Sequence, residues 1–180
     1  MGDNAIADLV EKGIIKVTKV KNGDDRFAFS TPFLRFWFAF ISPLFKGIRD
    51  GDYKEIAQRW ENKKSELFQE AFVRLSHELV RITFQEQKIM KISQYYDEQT
   101  HFEIYANTKE KTIILGSVKY TNAKVKKSEF TKLQEEAQKA NIEAEMFVIV
   151  SKKGFSSELK SLKGKSLKLL TLKNFKTLLA

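Results

Sequence analysis

The fold is decided by residues 101–120, which read HFEIYANTKEKTIILGSVKY. Two stretches rich in β-branched and aromatic residues, separated by the turn sequence NTKE, predict a β-hairpin. Side chains alternate between the two faces of a strand, so Ser117 and Lys119 share one face of the second strand. Glu103 and Tyr105 share one face of the first strand. We expect strand pairing to bring the Glu103 carboxylate close to Ser117 and Lys119.

The elements around this hairpin predict an α/β fold with a mixed sheet flanked by helices. An amphipathic helix over 62–82 precedes the sheet, and the apolar run 146–150 is typical of a buried parallel strand. We expect Ser128 to cap the helix between the hairpin and that run. The predicted strands are 89–96, 102–106, 112–120, 146–150 and 166–171, and the other predicted helices are 128–140, 158–162 and 174–179. The predicted inner face of the long helix is Leu67, Phe68, Ala71, Phe72, Leu75, Leu79 and Ile82.

The N-terminal residues predict a small unit that resembles the second half of a winged helix. A helix over 3–12 is followed by strands at 14–20 and 26–30, which are joined by a turn at 21–25. One helix and one hairpin bury little apolar surface, so we expect this unit to pack on another part of the protein. The predicted domains are a winged-helix remnant at 1–31, an aromatic helical connector at 32–61 and a larger α/β domain at 62–180.

The aromatic connector has two interpretations. Residues 32–41 read PFLRFWFAFI and are apolar on nearly every side. A helix that is apolar all round is buried all round, which favours a core helix. The alternative is an interface for a partner domain or a second copy of the chain, formed by Phe33, Phe36, Trp37 and Phe40.

The composition favours polyanionic partners and excludes several kinds of site. The 180 residues carry a net charge of +9 and no cysteine, which excludes disulfides and thiolate metal sites. The charge favours DNA, RNA or anionic lipid as a ligand, and a general enrichment in lysine is the alternative explanation. His77 and His101 lack metal-ligand spacing, so we expect ordinary polar roles for both. No signal-peptide pattern or membrane-spanning stretch is visible, so we expect a cytoplasmic protein without a membrane partner.

Five short motifs follow one another along the chain. They are STPFLRFWF at 30–38, Phe68-Gln69, Tyr95-Tyr96, HFE at 101–103 and GSVKY at 116–120. In this order they resemble the PD-(D/E)XK nuclease superfamily. More narrowly, they resemble the nuclease-like domain of unknown function that follows a winged helix in archaeal-type ATPases. The resemblance covers nearly the whole chain and implies a restriction-endonuclease-like fold for the larger domain, without the ATPase portion.

The resemblance also implies a site, and this chain departs from the pattern of that site. In active members two carboxylates hold a divalent metal ion and a lysine positions or activates the attacking water. The matching positions here are Glu103 and Lys119, while Ser117 and Gln69 stand where acids are expected. The resemblance therefore implies a degenerate site without a cofactor, in which Lys119 pairs with Glu103. The alternative is an active site in which Glu70 replaces the missing ligand and, with Glu103, binds Mg²⁺ or Mn²⁺.

Lysines follow the hairpin and predict contacts with backbone phosphates. Tyr120 lies among them and is suited to stack on a base. The predicted nucleic-acid-binding residues are Lys119, Tyr120, Lys124, Lys126, Lys127 and Lys132. The alternative interpretation is that these residues lie on a solvated loop without a ligand. A second group is interpreted as protection of a sheet edge; it comprises Lys152, Lys153, Lys160, Lys163, Lys165 and Lys168.

These observations predict a DNA-binding protein with a degenerate nuclease-like fold that does not cleave its ligand. Two alternatives stay open. One is a protein-interaction module that binds an ATPase or a second copy of the chain through the aromatic connector. The other is a residual metal-dependent DNA endonuclease.

Overall fold

The computed structural model of the chain describes residues 2–20 and 24–179, which form two compact units. The first unit contains residues 2–19 and 24–71, and the second contains Val20 with residues 72–179. Positions 21–23 of the predicted turn lie outside the described residues. Within the described part of the chain, no helix is both long and apolar enough to cross a lipid bilayer.

The first unit opens with the predicted helix and hairpin. Helix α1 covers Gly2–Glu11, and strands β1 (Ile15–Thr18) and β2 (Arg26–Phe29) pair antiparallel. The β2 side chain of Phe29 stacks on Phe38, with ring centroids 5.1 Å apart. The small hairpin is therefore covered on one side by the aromatic segment of the same unit.

The aromatic segment is not the buried core helix that its composition favours. It breaks into α2 (Pro32–Phe36), a π-helical turn (Trp37–Ile41), a 3-10 turn (Ser42–Leu44) and α3 (Phe45–Arg49). Phe33 is 65% exposed, so the prediction of burial on all sides is wrong. The backbone stays helical from α2 into the π-helical turn, but within this small unit Phe40 is the only residue of Pro32–Arg49 that is buried.

Helix α4 covers Lys54–Thr83 and confirms the predicted long helix, with a different inner face. The predicted stripe is wrong at Phe68, Leu75 and Ile82, which are all exposed. These three repeat every seven residues along one side of the helix. The buried positions are Phe72, Val73, Ser76, Leu79 and Val80.

The second unit is built on a five-stranded mixed sheet, which confirms the predicted α/β fold with a mixed sheet flanked by helices. Its order is β3-β4-β5-β6-β7. The pairs from β3 to β5 are antiparallel, and β5, β6 and β7 are parallel. The strands are β3 (Ile89–Tyr96), β4 (His101–Thr108), β5 (Ile113–Lys119), β6 (Met146–Ser151) and β7 (Leu167–Thr171).

Helices cover both faces of this sheet. They include α5 (Lys127–Lys139) and α6 (Ser157–Ser161), together with 3-10 turns at Gln85–Gln87 and Leu172–Leu178. Ser128 is not the N-cap of α5, because the helix begins one residue earlier and Lys126 takes that position. The predicted C-terminal α-helix is a 3-10 helix.

The sheet separates two apolar cores. One core joins α4 to the sheet and includes Phe72, Val80, Ile104, Val118 and Val148. The other joins α5 and α6 to the opposite face and includes Leu115, Leu133, Ile149, Leu159 and Leu167. Strand β5 contributes to both cores, as expected for the central strand of a sheet covered on both sides.

Gly116, in the middle of β5, lies close against the neighbouring strands, and its lack of a side chain makes this close approach possible. A Cβ atom at this position would collide with the Val148 carbonyl oxygen and lie 2.6 Å from Val148 Cγ1. It would also lie 3.2 Å from Ile104 Cβ on the other neighbouring strand. No side chain fits between strands β4 and β6 at this point without moving the backbone.

We therefore predict that Gly116→Ala destabilises the second unit. Overpacking of a buried site costs about 1–3 kcal/mol, and the neighbour here is backbone rather than a flexible side chain. Urea unfolding followed by circular dichroism measures the change. The matched control is Gly164→Ala, because the nearest atom to a Cβ there is the Leu162 carbonyl oxygen at 3.9 Å. Equal effects of the two substitutions would contradict the prediction.

Candidate functional site

Several polar residues singled out from the sequence lie at one end of the strands of the sheet. Strands β5, β6 and β7 are parallel, and their last residues are in register, with Lys119 beside Ser151 and Ser151 beside Thr171. The carboxyl ends of these strands therefore lie at the same end of the sheet. In parallel sheets, ligands bind at the carboxyl ends of the strands.

Glu103 lies at an irregularity of strand β4. The pair Ser93↔Tyr105 is followed by Tyr95↔Phe102, so two steps along β3 correspond to three steps along β4. Strand β4 thus carries one extra residue at this point, which is a β-bulge. Bulges re-aim side chains and are frequent beside functional sites.

The bulge changes which face each β4 residue occupies. Phe102 belongs to the core on the α5 side and Ile104 to the core on the α4 side. Residues two apart on a regular strand share a face, so the alternation of β4 is broken between Phe102 and Ile104. That Glu103 and Tyr105 share a face stays a prediction.

His77 of α4 holds the bulge from the helix side. Its Nε2 donates a hydrogen bond to the Glu103 carbonyl oxygen at 2.7 Å. Burial lowers the pKa of His77, and the hydrogen bond to Glu103 opposes that shift. His77 thus has a specific structural role as the donor of this hydrogen bond. His101 stacks its ring on Tyr96, with ring centroids 4.2 Å apart.

The Glu103 carboxylate is largely buried. Its Oε2 accepts a long hydrogen bond of 3.4 Å from the Val118 backbone N–H of β5. Burial raises the pKa of the Glu103 carboxyl, and the positive charge of Lys119 opposes this shift. The environment therefore disfavours the negative charge that metal binding requires.

Lys119 makes its ion pair with a residue that the sequence analysis missed. Its Nζ lies 2.7 Å from Oε1 of Glu129, in the first turn of α5. The predicted direct pair with Glu103 is replaced by this contact, although Lys119 lies close enough to affect the pKa of Glu103. An acid in the first turn of the helix that follows β5 was the available signal, since this turn begins at the same sheet edge.

Ser117 occupies the position where the resemblance expects a second acid. The residue is only 3% exposed, and its Oγ has no hydrogen-bond partner among the described residues. A buried hydroxyl without a partner is costly. Ser117 is therefore close in sequence to Lys119 but offers no anionic oxygen to a metal ion.

The two helix residues assigned to this site belong to the first unit. Gln69 is half-buried on α4. Glu70 forms an ion pair with Arg35 of α2, in the same unit. Its carboxylate is thus already engaged by a guanidinium. Among the described residues, no group of three or more His, Asp and Glu side chains is placed to hold a metal ion.

The predicted phosphate-contacting lysines divide into two sets. Lys119 and Lys132 are paired with acids, Lys132 with Glu136 at 3.6 Å. The other set is exposed, and its side chains make no hydrogen bond or ion pair within the described residues; it comprises Lys124, Lys126 and Lys127. This second set lies in the connection from β5 to α5 and at the first residue of α5.

Tyr120 is packed rather than free. Its ring lies 5.3 Å from the ring of Phe72, and Lys152 Nζ lies 4.2 Å from its centroid. Lys152 also donates a hydrogen bond to Asn122 Oδ1 at 3.1 Å. From the sequence, Lys152 was grouped with lysines that protect an edge strand. The structure places it beside Tyr120 and Asn122, which follow the carboxyl end of β5.

The aromatic residues proposed as an interface form a separate apolar surface within the first unit. A cleft of about 380 Å³ is lined by Phe36, Phe40, Tyr53, Ile56, Ala57 and Trp60. Phe40 is buried, whereas Tyr53 is 60% exposed. Phe33 and Trp37 also lie on the surface, with ring centroids 6.2 Å apart.

The chain is similar to one known family. A family model described as "Archaea bacterial proteins of unknown function" matches residues 37–133, just over half of the chain. The matched segment includes Glu103, Ser117 and Lys119. No curated protein and no solved structure matches the chain.

The buried carboxyl of Glu103 predicts a pH-dependent effect of Glu103→Gln. Because burial raises its pKa, the folded protein holds this proton more tightly than the unfolded chain does. The stabilisation from Glu103 is therefore present at low pH and is lost as the pH rises through the raised pKa. We expect the difference in unfolding free energy between the variant and the wild type to shift in favour of the variant from about pH 4 to about pH 7.

Urea unfolding at a series of pH values measures this difference. Glu110→Gln, at an exposed position in the turn between β4 and β5, is the matched control. A difference that stays constant with pH for Glu103→Gln would show that this carboxyl is not desolvated.

Proposed function

We propose, from the premise that this chain belongs to the DUF234 family of archaeal and bacterial proteins, that it binds double-stranded DNA through backbone phosphates without cleaving it. The family match itself carries no function. The proposal rests on the charges at the carboxyl ends of the parallel strands and on the chemistry of the residues beside them.

The observation that carries the proposal is the set of three lysines without partners. Lys124, Lys126 and Lys127 are exposed on one short segment, and no described acid pairs with them. The chain as a whole has a net charge of +9. Lysines that are free of acids neutralise phosphates and release counterions, which supports binding without sequence readout.

Among the described residues, no cluster of acids is placed to hold the metal ion that phosphodiester hydrolysis uses in the nuclease-like resemblance. Metal-assisted cleavage needs carboxylates that hold a divalent ion and neutralise the developing charge. Glu103 is buried in a setting that disfavours its charge, Ser117 is neutral, and Glu70 is paired with Arg35. These observations favour binding over cleavage within the nuclease-like resemblance.

Replacing the three free lysines by glutamine tests the proposal. We expect the variant with Lys124→Gln, Lys126→Gln and Lys127→Gln to bind a 20-base-pair duplex on the order of tenfold more weakly at low salt. The slope of log affinity against log salt concentration should decrease by about 3, or about 1 for each phosphate contact. Fluorescence anisotropy at several salt concentrations measures both quantities.

The matched control removes the same amount of positive charge at the opposite end of the strands. Lys109→Gln, Lys163→Gln and Lys165→Gln replace exposed lysines near the start of strands β5 and β7. A wild-type protein that does not bind duplex at low salt, or two triple variants with equal losses, would refute the proposal. Conversion of supercoiled plasmid to nicked or linear DNA with Mg²⁺ or Mn²⁺, abolished by Glu103→Ala, would favour the residual nuclease instead.

The aromatic surface of the first unit supports a second candidate function. Aromatic side chains exposed around an apolar cleft are typical of protein interfaces. Phe33, Phe45 and Tyr53 are each more than half exposed. The second candidate is therefore a protein-interaction module that binds an ATPase or a second copy of the chain.

Light scattering tests the version with a second copy. If this surface mediates a dimer, the wild type has about twice the 20.9 kDa mass of the chain, and Phe33→Gln shifts it to the monomer mass. Met90→Gln is the control, because Met90 is 69% exposed in the second unit. A wild type that is monomeric at high concentration would refute self-association through this surface.

A further inference from the structure

The connections after β5 and after β6 run side by side. The Val125 N–H donates to the Gly154 carbonyl oxygen at 2.9 Å, and the Ser156 N–H donates to the Val125 carbonyl oxygen at 2.9 Å. Val125 and Phe155 form a parallel β-bridge, and both side chains are buried. Two segments that are 30 residues apart in sequence are therefore joined by backbone hydrogen bonds into one local structure.

This pairing brings together lysines from two groups that the sequence kept apart. Lys124 and Lys126 flank the buried Val125, and neighbours of a buried residue in an extended segment face outward. Lys153 immediately precedes Gly154, the residue whose carbonyl oxygen accepts the Val125 N–H. All three lysines are exposed, and their side chains make no ion pair within the described residues.

The connection after β6 has a defined shape. The Gly154 N–H donates to Ser151 Oγ at 3.1 Å, and Ser151 Oγ donates to the Gly154 carbonyl oxygen at 3.0 Å. The Lys152 N–H donates to the Lys119 carbonyl oxygen at 3.0 Å. These hydrogen bonds close a four-residue turn and attach it to the end of β5, so little conformational entropy is lost when a ligand binds there.

Lys152 has a different role from Lys153. Its side chain lies over the Tyr120 ring and donates to Asn122, so it links the two connections. The cation over the ring also occupies a face on which an unpaired base would stack. Recognition of single strands depends on such stacking, so this geometry favours a ligand that presents phosphates with its bases already paired.

The chemistry around the lysines also favours nucleic acid over a lipid surface. Each lysine near an anionic membrane contributes only about 1 kcal/mol, so stable binding of a few lysines to a membrane also needs a second signal such as an exposed apolar face. The apolar residues of the two connections, Val125 and Phe155, are both buried. Charge alone is exposed here.

We propose that Lys124, Lys126 and Lys153 form one phosphate-binding ridge, spanning both connections, that contacts the backbone of double-stranded nucleic acid. This inference rests on the proposed function and deepens it, because it adds Lys153 to the binding surface and removes Tyr120 as a stacking residue. Lys152 is a positioning residue that holds the two connections together.

The test compares two single substitutions on the full chain. Lys153→Gln should weaken binding to a 20-base-pair duplex several-fold and reduce the salt slope by about 1. Lys165→Gln, an exposed lysine near the start of β7, should have a smaller effect on both quantities. Thermal unfolding of each variant should match the wild type, since both side chains are exposed and without partners among the described residues.

The outcomes separate this inference from the proposed function. If the wild type does not bind duplex in a salt-dependent manner, the proposed function itself fails. If the wild type binds and the triple variant at 124, 126 and 127 is impaired, but Lys153→Gln behaves like Lys165→Gln, only the ridge is refuted. Tighter binding to a single strand of the same length than to the duplex would also refute it, as would ridge-dependent binding to phosphatidylserine vesicles without duplex binding.

Discussion

The backbone contact between β5 and β6 at Gly116 constrains the end of β5, where the candidate site lies. Strand β5 lies between an antiparallel and a parallel neighbour and is buried on both faces. Because Gly116 has no side chain, the strand stays close to Val148 and continues in register to Lys119. The position of Ser117, Lys119 and the connection that follows is therefore set by packing of the sheet rather than by contacts among the polar groups themselves.

Much of this sheet could be predicted from the sequence because its strands obey simple rules. The hairpin and the continuous apolar run at 146–150 follow from local sequence patterns. The aromatic connector was harder, because high apolarity predicts burial only when enough neighbouring surface exists to cover it. Phe33 and Tyr53 stay exposed in the first unit, and neither composition nor helical spacing reveals how much neighbouring surface that unit offers.

Part of the candidate site could be predicted from the sequence, whereas its geometry could not. Glu103, Ser117 and Lys119 follow from motif spacing, but the bulge in β4 depends on the pairing register with β3, which no single strand encodes. The same limit applies to His77, whose hydrogen bond to the Glu103 carbonyl joins α4 to β4 across 26 residues of sequence. Glu129 was missed because its partner Lys119 lies ten positions away, beyond the range of helical or strand periodicity.

Under the proposed function, the buried or paired acids at the carboxyl ends of the strands and the exposed lysines beside them act in the same direction. A nuclease site concentrates carboxylates, and a metal ion must offset their repulsion of the phosphate backbone. In this chain Ser117 is neutral, burial disfavours the charge of Glu103, and Lys119 neutralises Glu129. The edge of the sheet can then present the charge of its free lysines without a metal ion. Under the proposed function, a site without exposed acids favours binding of the polyanion. Each additional carboxylate there would repel the phosphates that the lysines attract.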